Sequence, residues 1–155
     1  MRLPAAHLPY RRRPDVGPLL DVPALRGASR RRLAALAPHA DRLRLPPGRT
    51  VARAGDTARE MTVVVAGQVA VTSGDGHTAV LPAGAQIGGN EVVGRRPHPA
   101  TVVTLTDAEV VVLAGPAVLW AQREGLLQLT PREEESWTPS PWPTWRPAAL
   151  SSSWR

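Results

Sequence analysis

Thr62-Val63-Val64-Val65-Ala66-Gly67-Gln68-Val69-Ala70-Val71-Thr72-Ser73-Gly74-Asp75-Gly76-His77-Thr78-Ala79-Val80-Leu81 decides the fold class. Thr62–Val65 is a short run of β-branched residues, which pack well on a pleated surface and are stiff in a helix. Ala66-Gly67 closes it, and Gln68–Thr72 alternates polar and apolar side chains with the period of two that a half-buried strand requires. Gly74-Asp75-Gly76 accepts positive φ at little cost, so it predicts a hairpin turn from which Thr78–Leu81 returns.

The same grammar extends outward from this hairpin. Upstream, Leu43 and Leu45 alternate with Arg42 and Arg44, which predicts a strand with both leucines on its inner face. Pro46-Pro47-Gly48 turns the chain, Thr50–Arg53 forms a second strand, and Gly55-Asp56 turns it again. Downstream, Ala100–Leu105 and Glu109–Leu113 are two further strands separated by Thr106-Asp107. Many short strands at regular spacing with Gly/Pro turns predict an all-β barrel or sandwich. A helix capped by Ser29 over Arg30–Ala37 precedes it, weakened or ended by Pro38. An apolar patch of Val16, Leu19, Leu20, Val22 and Leu25 docks a helical turn before that. Gly115-Pro116 opens a final helix whose Leu119, Trp120, Leu126, Leu127 and Leu129 pack back on the strands, with Pro131 as its stop.

Composition sets the outer bounds. The chain has 155 residues, no Cys and no Phe. One domain with a Val/Leu/Ala/Ile core is expected, without disulfides, thiolate metal sites or a catalytic thiol. Neither a secretory signal nor an apolar run of membrane-spanning length is visible, so the expectation is a cytoplasmic protein with no membrane role. All 19 basic residues are Arg and the net charge is +6. Thirteen of them lie in residues 1–59, against Asp15, Asp21, Asp41 and Asp56. That asymmetry fits a solvated Arg-rich face, or weak nonspecific nucleic-acid contact with steep salt dependence. Residues 1–14 mix prolines with Arg11-Arg12-Arg13 and are expected to form a mobile arm. Residues 15–130 are the domain. Residues 131–155, with Glu133-Glu134-Glu135 and Trp137, Trp142, Trp145 and Trp154 among prolines and serines, form a tail. The tail reads either as a partner-docking segment or as a terminus lying on its own domain.

The order of elements, with Pro47-Gly48, Ala54-Gly55-Asp56, Val65–Val71, Pro82-Ala83-Gly84 and Pro97-His98-Pro99-Ala100-Thr101-Val102, resembles the cyclic nucleotide-binding domain of the catabolite-activator (Crp/Fnr) family. The resemblance covers about residues 15–130. It implies a mainly β fold: an eight-stranded antiparallel β-roll or jelly roll of the cupin-like double-stranded β-helix kind, flanked by short N-terminal helices and one C-terminal helix. It further implies that Leu81–Val102 is the phosphate-binding cassette. In the family this segment reads Phe-Gly-Glu, an apolar residue, Ala-Leu-Leu, a variable loop, Pro-Arg, a small residue and Ala-Thr-Val. A short helix offers N–H groups to the cyclic phosphate, the arginine neutralises it, and the glutamate accepts from the ribose 2′-hydroxyl.

Aligned without gaps, Ile87 stands for Phe and Gly88 matches, but Gly89 stands for the glutamate and His98 for the arginine. The cassette thus comprises Ile87, Gly88, Gly89, Asn90, Glu91, His98, Pro99, Ala100 and Thr101 in degenerate form. Losing one partner of a buried charged pair costs about 2–5 kcal/mol, roughly thirty- to several-thousand-fold in affinity. Cyclic AMP binding is therefore expected to be weak or lost, so that no cofactor is expected beyond a weakly held cyclic nucleotide. Protonated His98, or Arg95 or Arg96 swinging in from the loop, keeps an anion site open, because each supplies positive charge. Glu91 falls on a different helix face from the missing glutamate, and Pro99 lacks a backbone donor.

His7, His39, His77 and His98 lack the paired spacing of a metal-dependent cupin, and no nucleophile–base set stands out, so no enzyme is expected. Pro131 and the Trp/Pro tail occupy the place of a helix-turn-helix, so sequence-specific DNA recognition is not expected. The reading that remains is a non-enzymatic regulatory module acting through an unknown protein partner, by way of its barrel face and tail. The alternative is a genuine sensor of a cyclic nucleotide or another small anion.

Overall fold

The computed structural model describes residues 15–129. Both the expected N-terminal arm and the Trp/Pro tail lie outside them. Two short helices come first, α1 (Gly17–Leu20) and α2 (Arg30–Leu36), with 3-10 turns over Pro23–Leu25 and Ala37–His39. Eight strands follow: β1 (Ala40–Leu45), β2 (Thr50–Ala52), β3 (Glu60–Ala66), β4 (Val69–Ser73), β5 (Thr78–Leu81), β6 (Gln86–Ile87), β7 (Ala100–Thr104) and β8 (Ala108–Ala114). Helix α3 (Gly89–Gly94) separates β6 from β7, and α4 (Gly115–Arg123) follows β8.

The strands form two four-stranded antiparallel sheets, in the orders β1-β8-β3-β6 and β2-β7-β4-β5. This is the mainly β roll expected, with helices at both ends of the described chain. Strands β3 and β8 sit in the middle of the first sheet, paired from Glu60–Ala114 to Ala66–Glu109. They are covered on both faces, which is why they read as nearly continuous valine runs. Val64 and Val110 point toward the second sheet and join Val69, Val71, Ile87 and Val102. Met61, Val63, Val111 and Leu113 point the other way, into a cluster with Leu19, Leu33, Leu36, Val118 and Ala121 from the helices.

Local signals account for most boundaries. The Ser29 hydroxyl accepts from the Arg32 N–H at 3.4 Å, capping α2 as its position predicts. The α-helix ends at Leu36, and the chain runs on through Pro38 as a 3-10 turn. Two expectations need correction. Leu43 is 45% exposed although it shares the inner face with Val110, because β1 is an edge strand and no neighbour covers its outer side. Helix α4 does not run to Pro131. It stops at Arg123, and the chain passes through Gly125 at φ +69°, where glycine's freedom ends the helix sooner. Beyond that turn Leu127 and Leu129 are buried as expected.

Thr104 organises the crossing from β1 to β2. It is 2% exposed. Its hydroxyl donates to the Pro46 carbonyl at 2.6 Å and accepts from the Arg49 N–H at 2.8 Å. Its carbonyl accepts from the Gly48 N–H at 2.7 Å. Thr104→Val keeps the shape but strips both side-chain bonds, so it should lower the urea-unfolding free energy by about 1–3 kcal/mol. Thr72→Val, at an exposed pair with Thr78, should change it by no more than about 0.5 kcal/mol.

Arg42 joins β1 to the helices by pairing with both Glu109 and Asp21. The Arg42 hydrogen bond holds the Glu109 carboxyl below the ordinary carboxylate range. A carboxyl depressed in the folded state stabilises above its unfolded pKa, and that contribution fades as pH falls through the folded value. Glu109→Gln should therefore melt lower than the unaltered protein at pH 7. The gap should close as a thermal series descends below the carboxylate range. A pH-independent gap would show that packing, and not charge, is responsible.

Candidate functional site

The segment expected to be the cassette runs from the end of β6 through α3 and the loop into β7. Ile87 is buried and pairs with Thr62 of β3, which brings the start of α3 against the central strand pair. Gly88 then turns the chain at φ +84°. A Cβ there would stand 2.7 Å from the Glu60 carbonyl oxygen and 2.9 Å from Cε1 of His98. Only glycine satisfies both constraints, and the His98 ring lies against this turn. Val92 is the buried anchor of α3, and α3 packs against α4 near Gly115. Arg95, at φ +53°, ends the helix, after which the Arg96 N–H donates to the Glu91 carbonyl at 2.8 Å.

The loop after α3 is held by backbone pairing to the segment between β2 and β3. The His98 N–H donates to the Asp56 carbonyl, and the Gly55 N–H donates to the His98 carbonyl, both at 2.9 Å. Pro97 bridges Thr57. Pro99 is exposed between this clamp and β7. Ala100 opens β7, and the Thr101 hydroxyl accepts from the Ala54 N–H at 3.1 Å. His98 is thus positioned by its backbone on one side and by Gly88 on the other. Arg95 is exposed, and the stem of Arg96 folds over Gly94. Asn90 and Glu91 are half-buried in the first turns of α3.

Gly89 is where the structure adds most. The position is buried, and a Cβ built on it would stand 2.8 Å from Met61 Sδ and 2.9 Å from Leu129 Cδ2. A side chain here heads into the helix-side core. Leu129 is itself seated: it is 8% exposed, and its carbonyl accepts from Gln122 Nε2 at 2.6 Å. Gly89 therefore forms the floor on which Met61 and Leu129 close. Sequence reasoning missed this role for both residues. The consecutive glycines Gly88-Gly89 were the available signal, since such pairs mark close approach by another part of the chain.

Among the described residues, no three His, Asp or Glu side chains gather as metal ligands would. No helix among them is long and apolar enough to cross a membrane.

The family model described as "Cyclic nucleotide-binding domain" matches residues 42–123, more than half of the chain, and the chain belongs to that family. The sensor domain of the transcriptional regulator DNR from Pseudomonas aeruginosa superposes with a TM-score of 0.60 at 19% identity, over 68% of this chain and 79% of that one. The regulatory subunit of a cAMP-independent protein kinase A from Trypanosoma brucei gives 0.59 at 19% identity, covering 70% of this chain and 43% of that one. A cAMP-binding acyltransferase from Mycobacterium smegmatis gives 0.56 at 27% identity, covering 66% of this chain and 33% of that one. The chain thus spans less than half the length of the last two. No curated protein sequence matches it.

The packing at position 89 predicts a coupling. Gly89→Glu should destabilise the protein by roughly 1–3 kcal/mol or more, through overpacking and an unpaired carboxylate. The penalty should shrink in a Leu129→Ala background, where the side chain gains space. A double-mutant cycle of urea unfolding measures this. Strict additivity would show that Leu129 does not seal the position.

Proposed function

We propose that this domain is a non-enzymatic regulatory module whose cassette does not bind ordinary cyclic nucleotides, and which works through contacts with a protein partner. The observation that carries this reading is the pair of substitutions with their surroundings. His98 stands where the family's arginine would be, packed against Gly88. Gly89 stands where its glutamate would be, with Met61 and Leu129 across it.

The physical argument is one of charge and space. A cyclic phosphate needs a permanent positive partner, which an imidazole, unlike a guanidinium, is not. A ribose hydroxyl needs an acceptor, and the direction a side chain would take from Gly89 is already occupied by apolar atoms. Each loss costs about 2–5 kcal/mol, so a micromolar site moves to millimolar or weaker. The scaffold around the cassette is nevertheless intact, with buried Ile87 and Val92 and a backbone clamp on His98. A maintained scaffold without its recognition side chains suits a contact surface better than a ligand pocket. The Trypanosoma brucei neighbour, described as the regulatory subunit of a cAMP-independent kinase, supports reading this fold as a regulatory device that need not answer to cyclic AMP.

Titration calorimetry of the full chain with cyclic AMP and cyclic GMP should give no dissociation constant tighter than about 1 mM. Gly89→Glu/His98→Arg should remain silent, while adding Leu129→Ala to that pair should raise affinity by opening space for the glutamate. Micromolar binding by the unaltered protein would overturn the proposal and favour the genuine sensor.

A further inference from the structure

Away from the cassette, a groove of about 620 Å³ opens between the turn before α2 and the chain after α4. Arg26, Ser29, Arg32 and Gln128 supply polar lining, and Ala24, Ala28 and Leu126 supply apolar lining. Its charge is only partly balanced. Arg32 reaches Glu124, with Nη1 3.4 Å from the backbone carbonyl oxygen and Nη2 3.9 Å from the carboxylate. Those side chains are 48% and 42% exposed, so water competes well with the pair and it is easily exchanged. Arg26, Arg30 and Arg31 are exposed and have no side-chain hydrogen bond or ion pair among the described residues.

Helix stability does not account for this charge. Arg30, Arg31 and Arg32 fill the first turn of α2, where the helix dipole disfavours cations, and no acid in that turn offsets them. Arg32 shows which groups such a guanidinium takes here. Its two contacts are a carboxylate and a peptide carbonyl, the two acceptors that an acidic peptide carries along its length. A guanidinium fork matches a carboxylate through two parallel N–H donors. A nucleic-acid strand instead needs a basic track along several phosphates, and the Glu124 carboxylate interrupts the arginines.

We infer that the groove docks an acidic segment of a partner protein, with one carboxylate on Arg26 and a second displacing Glu124 from Arg32. Arg30 and Arg31 draw the segment in from alongside. Glu124 is then a built-in competitor, which keeps binding weak until a partner brings a better-placed acid. The inference rests on reading the domain as a module that works through a protein partner. It fails separately from the cassette reading, because the groove residues and the cassette residues are different sets. Calorimetry with cyclic nucleotides tests one, and a peptide titration tests the other.

The titration follows the fluorescence anisotropy of a labelled Ala-Glu-Glu-Ala-Glu-Glu-Ala peptide added to the full-length protein. Binding should be saturable, and should weaken about tenfold in Arg26→Gln and in Arg32→Gln. Glu124→Gln should tighten it about two- to fivefold, because the competitor is gone. Arg44→Gln and Glu60→Gln make the same charge changes outside the groove lining, and should leave affinity within about twofold. The peptide's glutamine counterpart should not bind. Absence of saturable binding, or equal losses from Arg26→Gln and Arg44→Gln, would overturn the inference. Tighter binding of an oligothymidylate of equal charge through Arg26 and Arg32 would assign the groove to nucleic acid instead. An unchanged affinity in Glu124→Gln would sink the displacement at Arg32.

Discussion

The antiparallel pairing of β3 and β8 is the constraint on which the rest of the structure depends. Apolar side chains project from both faces of this pair, Val64 and Val110 on one and Met61, Val63, Val111 and Leu113 on the other. Neither face tolerates water, so each must be covered. The second sheet covers one, and the helices from both ends of the domain cover the other. The segment proposed as the cassette sits at the edge of that arrangement. The short strand β6 attaches to β3 through Ile87, and that attachment delivers Gly88 and α3 to the helix-covered side.

Delivery to that side gives the cassette its character. In an anion site the start of a short helix faces an open cavity. Here a side chain at the first residue of α3 would meet Met61 and Leu129, so the position takes part in core packing. A larger residue at 89 would have to push aside the ends of the Met61 and Leu129 side chains. The space at the start of α3 is therefore closed at Gly89. At His98 the ring packs on Gly88 and the backbone is clamped by Gly55 and Asp56. The segment after α4 connects these local facts to the groove, since Gln128 faces one and Leu129 the other.

Electrostatics plays a smaller and more peripheral part. Arg42 ties β1 to Asp21 and Glu109 at the surface, which holds an edge strand whose leucine is only half covered. At the hairpin between β4 and β5, the Asp75 carboxyl is held below its ordinary range by the Ser73 hydroxyl first and the His77 N–H second. Both are solvated interactions that trim the fold's edges, and the double-faced apolar core carries the stability.

Local chemistry alone determined the strand runs, the Gly74-Asp75-Gly76 hairpin, the Ser29 cap and the glycine turns. Each depends on residues a few positions apart, with a short-range physical cause. The segment from Ile87-Gly88 through Pro97-His98 to Ala100-Thr101 was legible in the same way as a glycine turn, a short helix and an exit strand. Only the tertiary structure decided what fills the space. Leu129 lies far along the chain from Gly89, and no periodicity links them. Their contact exists because Gly125 turns the chain after α4 and because β6 carries α3 to the same face. The exposure of Leu43 was likewise beyond local reading, since alternation assigns a side chain to a face while sheet order decides whether that face is covered at an edge. The groove beside Arg26 exists for the same reason, where the turn before α2 meets the chain beyond α4.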